Sequence, residues 1–207
     1  MDGIIFDIDG TLWDSTYTAA TAWNEAIKEF GNSNVNVNVT ADLLKKEFGK
    51  PMDVIISDVF PMLNKKDQDD ILKVICKWEH IMLNKLGGIA LGDIKSTMKE
   101  LSKRHDLYIV SNCQLGYIEL VMKFFDIESL IKDHLCFGDT GTSKGQTILT
   151  LMKRNGLKDP VYIGDTEGDH NACKEAEIPF VFAEYGFGET TKPDYTVKSF
   201  EELKTLF

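Results

Sequence analysis

Apolar residues gather in five short runs, GIIFD (3–7), LYIVS (107–111), HLCFG (134–138), PVYIG (160–164) and IPFVF (178–182), and this feature constrains the chain most. Runs of this length, rich in Val, Ile, Phe and Tyr and without polar alternation, read as strands buried on both faces. Between the later runs lie helical patterns over 94–104, 116–125, 144–155 and 168–177. Strand and helix in alternation predict an α/β fold: a Rossmann-like, mostly parallel sheet with helices on both faces.

The first interval breaks the alternation. About ninety residues separate GIIFD from the next strand, where a parallel crossover needs only a dozen or so. Apolar residues recur there at helical spacing over 15–30, 40–48 and 67–86, as in Ile71, Val74, Ile75, Trp78, Ile81 and Met82. The expected organisation is a catalytic core of residues 1–13 and 88–207 with an all-helical cap, 14–87, inserted in it. Gly87 and Gly88 at the return point suit either a hinge or a helix cap.

Carboxylates mark the ends of the strands. Asp7 and Asp9 close the first run, Ser111 and Asn112 the second, and Asp165 and Asp169 follow the fourth in GDTEGD (164–169). Open parallel sheets gather their ligands at such carboxyl ends, so these groups are expected to share one crevice. Four acidic groups together call for a cation, and a donor set without His or Cys favours Mg2+. Lys144, Ser111 and Asn112 supply an ammonium, a hydroxyl and an amide for phosphate oxygens. An aspartate beside Mg2+ and a phosphoryl group can act as its nucleophile, which accounts for Asp7; Asp9, two residues on, can move the proton.

Composition excludes other classes. With 207 residues, 43% of them hydrophobic, the chain can bury a core. A formal net charge of −10 argues against nucleic acid and anionic membranes as partners. The sequence lacks a membrane-length apolar segment or a signal peptide, which predicts a cytoplasmic protein, and no protein partner is evident. Cys76, Cys113, Cys136 and Cys173 form no CxxC pair, and His80, His105, His134 and His170 are scattered, so neither set makes a zinc site or a triad. GDTGTSK (138–144) is no P-loop, because Ser143 precedes the lysine and Gly145 follows it.

Taken in order, DIDGTL, SN, Lys144 and GDTEGD, with a helical insert after the first, resemble the four motifs of the haloacid dehalogenase-like superfamily across essentially the whole chain. The resemblance implies Asp7 as nucleophile, Asp9 as general acid/base whose backbone carbonyl also binds Mg2+, and Asp165 as metal ligand. It implies Asp169 holding the metal or its waters, Ser111, Asn112 and Lys144 on the phosphoryl group, and Thr11 in support. Haloacid dehalogenases lack the aspartate two places after the nucleophile, and phosphonoacetaldehyde hydrolases have alanine there; Asp9 therefore points to phosphoesters. The FGKP cap loop and the YGFG stretch (185–188) are similar to the phosphoglycolate phosphatase-like branch.

The expected function is hydrolysis of a small phosphorylated metabolite, a phosphoglycolate-like ester or a sugar phosphate, with the helical insert as a lid and Lys50 reaching the leaving group. Two alternatives stay open: a β-phosphoglucomutase-like phosphomutase and a non-catalytic phosphometabolite-binding protein. The mutases carry a histidine where this chain has Ala19 and an arginine where it has Met52, and the binding protein would have lost a motif residue.

Overall fold

The computed structural model describes residues 1–207. In chain order the elements are β1 (Gly3–Phe6), β2 (Trp13–Asp14), α1 (Thr16–Phe30), α2 (Ala41–Glu47), α3 (Met52–Val59), α4 (Lys65–Leu86), β3 (Ile89–Ala90) and α5 (Ile94–Leu101). They continue with β4 (Leu107–Ser111), α6 (Tyr117–Phe125), β5 (Ile131–Cys136), α7 (Phe137–Thr140) and α8 (Lys144–Asn155). The last are β6 (Pro160–Gly164), α9 (Glu167–Ala176), β7 (Phe180–Ala183), β8 (Tyr195–Val197) and α10 (Leu203–Leu206). No helix is long and apolar enough to cross a membrane.

Two compact units result: Met1–Asp14 with Ala90–Phe207, and Ser15–Ile89. The first is built on a six-stranded sheet in the order β5-β4-β1-β6-β7-β8, with every neighbouring pair parallel. Its strands progress outward from β1 on one side and then on the other, so the order reverses between β1 and β6, the place where such sheets form a crevice. The central strands are wholly buried, as uninterrupted apolar runs require: GIIF in β1, LYIVS in β4 and PVYIG in β6.

The second unit is helical. In α4, Ile71, Ile75, Glu79 and Leu83 are buried at four-residue spacing and form a stripe that packs with α1. Glu79 interrupts the apolar stripe, and the indole N–H of Trp23 on α1 donates to it at 2.6 Å. Trp23 in turn stacks on Phe60, with ring centroids 6.0 Å apart. Gly87 caps α4 with φ 69°, its N–H donating to the Leu83 carbonyl.

Three local differences from the sequence expectation have physical causes. β5 runs over 131–136 instead of 134–138, because its outer half is an amphipathic edge and because Asp139 accepts the Cys136 N–H at 2.8 Å and turns 137–140 into helix. IPFVF enters the sheet only at Phe180, after Pro179. α3 is absent from the sequence reading: it is eight residues long, follows Pro51 directly and carries Val54, Ile55 and Ile56, whose branching favours strand.

Candidate active site

Register brings the motif residues together. Phe6 of β1 faces Ile109 of β4 on one side and Ile163 of β6 on the other. Continuing each strand sets Asp7 and Ile8 level with the ends of both neighbours, where Ser111 closes β4 and Asp165 follows β6. The Asp7 N–H still donates to Ile163 at 2.9 Å, but the ladder stops there. The Ile8 carbonyl then accepts from the N–H groups of Thr11, Leu12 and Trp13, which folds residues 8–13 into a tight turn. Gly10 makes the turn possible: its φ is 81°, and a Cβ there would collide with the carboxylate of Asp165.

Asp7, Asp165 and Asp169 are all buried, each offering an oxygen within 4.8 Å of the others. Lys144, the first residue of α8, is 5% exposed and faces two of them, with Nζ 2.5 Å from Asp169 Oδ1 and 3.2 Å from Asp7 Oδ1. Burial draws the Lys144 ammonium down, yet the charges of Asp169 and Asp7 outweigh it and hold it above the ordinary lysine value. Burial likewise pushes the Asp7 carboxyl up, Lys144 pulls it back and Asp169 raises it, leaving it at about 6. Asp165 is driven well above the usual carboxylate range by burial and then by the charges of Asp169 and Asp7. Three carboxylates against one ammonium leave an excess of negative charge in a dry place.

The three carboxylates are not equally committed. Asp169 Oδ2 accepts from the Asp165 and Thr166 N–H groups and from the Thr166 hydroxyl, closing a capping box at the start of α9, while Oδ1 takes Lys144. Asp165 Oδ2 accepts the Phe187 N–H at 2.7 Å, but its Oδ1 is buried without a hydrogen-bond partner. Asp7 Oδ1 has Lys144 beside it without the alignment of a hydrogen bond. The Thr11 hydroxyl is also buried and unpartnered. Such orphaned oxygens are costly unless a ligand completes them.

Asn112 follows Ser111 directly. Lys50 belongs to the helical unit, where its ammonium is 2.6 Å from Glu47 and 2.9 Å from Asp58. Cys113 is buried, and burial pushes its thiol well above the ordinary value, so it is an unreactive filler.

The sequence reading missed three groups at the site. Tyr117 donates to Asp9 Oδ1 at 2.8 Å, Tyr185 donates to the Thr11 carbonyl at 3.0 Å, and the backbone of Phe187 holds Asp165. Only the last two had a signal, the YGFG stretch. Its Gly186 packs where a Cβ would collide with the Asp165 side chain and lie 2.5 Å from the Gly10 carbonyl.

A family model described as haloacid dehalogenase-like hydrolase matches residues 4–183. A phosphoglycolate phosphatase of Aquifex aeolicus (strain VF5) is 28% identical over 98% of this chain and 95% of its own. A glyceraldehyde 3-phosphate phosphatase of Methanocaldococcus jannaschii is 27% identical over 97% of this chain and 94% of its own. The crystal structure of a predicted phosphoglycolate phosphatase from Haemophilus somnus 129pt shares the fold with a TM-score of 0.87, at 20% identity, over 100% of this chain and 97% of that one.

Proposed function

Because the chain belongs to the haloacid dehalogenase-like hydrolase family, we propose that it is a Mg2+-dependent phosphatase that hydrolyses a small phosphomonoester through an aspartyl-phosphate on Asp7. One observation carries the reading: buried Asp7 and Asp165, with oxygens left incomplete, stand beside the buried Lys144 at the switch point of the sheet. The names of the relatives support phosphoglycolate and glyceraldehyde 3-phosphate as the first esters to try.

The donor set fits a hard divalent cation, since it is all oxygen, carries surplus negative charge and includes the orphaned Asp165 Oδ1. Asp7, Asp165 and the backbone carbonyl of Asp9 would hold it. Asp169, whose oxygens already serve Lys144 and α9, would position that lysine and any coordinated water. Bound Mg2+ would draw charge from the phosphoryl oxygens and keep Asp7 ionised.

The chain's own residues account for the rest. Lys144, the Thr11 hydroxyl, Ser111 and Asn112 would bind the phosphoryl oxygens and orient phosphorus toward Asp7. A carboxylate oxygen of Asp7 would form the new O–P bond as the bond to the substrate oxygen breaks, and the leaving alkoxide would take its proton from Asp9. A water would then attack phosphorus, give its proton back to Asp9 and release Asp7 and inorganic phosphate. Both aspartates end as they began, and the net change is addition of water across the ester.

The test is phosphate release from p-nitrophenyl phosphate with Mg2+ and with chelator. Activity should need the ion, and Asp7→Asn, which keeps the shape and removes the nucleophile, should lower kcat by about 10⁴-fold or more. Full activity of that variant would end the mechanism.

A further inference from the structure

Tyr117 opens α6 after Gly116, whose φ is 83°. It is 5% exposed, and its ring packs edge-on against Trp13, with centroids 6.0 Å apart and planes at 70°. Trp13 is also flanked by Phe124 and Phe125, at 5.5 Å and 6.0 Å. A ring wedged in an aromatic cluster has few ways to move, so its hydroxyl is delivered to a fixed point. That point is Asp9: the phenol donates to Oδ1 at 2.8 Å, across a sequence separation of 108 residues. Phenylalanine would fill the same space against Trp13, so packing alone does not call for the hydroxyl.

We propose that Tyr117 is a positioning residue for Asp9, holding its carboxyl plane so that one and the same oxygen gives and takes the proton in both half-reactions. The proposal rests on the reading of Asp9 as general acid/base. The demand on that residue is unusual, because it protonates the leaving oxygen as the P–O bond breaks and then recovers a proton from the attacking water. Rotation about the Asp9 side chain's last bond is soft, and a half-turn of it exchanges the two oxygens. A donor fixed on Oδ1 removes that freedom.

The experiment compares an alkyl and an aryl ester in Tyr117→Phe, using the better accepted of phosphoglycolate and glyceraldehyde 3-phosphate beside p-nitrophenyl phosphate. Nitrophenolate leaves without a proton, whereas an alkoxide does not. The expected result is a fall in kcat/KM of about tenfold or more for the alkyl ester and a smaller fall for the aryl ester. The melting temperature should fall by no more than a few degrees, since the ring remains and only one hydrogen bond is lost, and its shift with Mg2+ should not change. In an Asp9→Asn background the same substitution should cost nothing further, because the group it positions is gone.

Equal losses on both esters, no loss on the alkyl ester, or additive losses in the double variant would overturn the proposal. Asp9→Asn inactive with Tyr117→Phe unimpaired would remove the role of Tyr117 alone. Asp9→Asn fully active would remove the acid/base reading and this inference with it.

Discussion

A carboxylate proposed to hold a cation must be stopped from satisfying itself, and the surroundings of Asp165 meet that condition. The Phe187 N–H takes one oxygen, and the absence of a side chain on Gly10 and Gly186 lets the backbone close in on it, leaving the other oxygen buried and unpartnered. Asp165→Asn keeps an acceptor for Phe187 and removes a carboxyl whose ionisation burial and the charges of Asp169 and Asp7 penalise in the folded protein. The metal-free variant should therefore melt higher than metal-free wild type, while the rise that Mg2+ brings should vanish. In wild type that rise corresponds to about 2.7 kcal/mol at a hundredfold excess over Kd, measurable by calorimetry. An unchanged Mg2+ shift in the variant would take Asp165 out of the metal site. At this scale the meeting of Asp7, Asp165 and Lys144 is legible in sequence because each directly follows a strand or opens a helix. Tyr117 is not, because a hydrogen bond over 108 residues leaves no periodic or compositional trace.

Elements are legible where their ends are chemically marked. α8 begins and ends where the sequence says, since Ser143 accepts the Gln146 N–H and Gly156 takes the left-handed conformation after Asn155. α3 and the outer half of β5 lack such marks, and there the sequence is ambiguous between strand, helix and turn. Pairing between elements is harder still, as α1 and α4 illustrate. The sequence pattern over 67–86 does not mark Glu79 as buried, and only the fold shows it on the stripe of Ile71, Ile75 and Leu83 with the Trp23 indole as its donor. Trp23→Phe should keep most of the ring contact with Phe60 and deprive the buried Glu79 of that donor, costing about 1–3 kcal/mol in urea unfolding. A variant as stable as wild type would mean that the hydrogen bond to Glu79 contributes nothing net.

At the scale of the molecule the two units differ in how their contacts run along the chain. The helical unit is one continuous stretch, Ser15–Ile89, whereas the sheet draws Gly3 to Pro160 and Ile4 to Leu107. Local contacts form early and distant pairings late. Pulse-labelled hydrogen exchange during refolding should therefore show α1 and α4 amides protected before those of β1; simultaneous protection would contradict this order. Alternation of strand and helix made the sheet readable, and the long first interval revealed the insertion, but the outermost strand β8 gave little signal because it is three residues long and two of them are exposed.

The pairing of β1 with β6 also has a consequence on the ribosome. β1, which Asp7 follows, is made before its partner β6, which Asp165 follows, and the stretch between them takes about 8–30 s at ordinary bacterial and eukaryotic speeds. Until β4 is made the wholly apolar GIIF has neither of its neighbours in the sheet, and until β6 is made it still lacks one. The growing polypeptide has no carboxylate cluster until β6 and α9 arrive, and a product truncated before Pro160 carries Asp7 without Asp165 and Asp169 beside it.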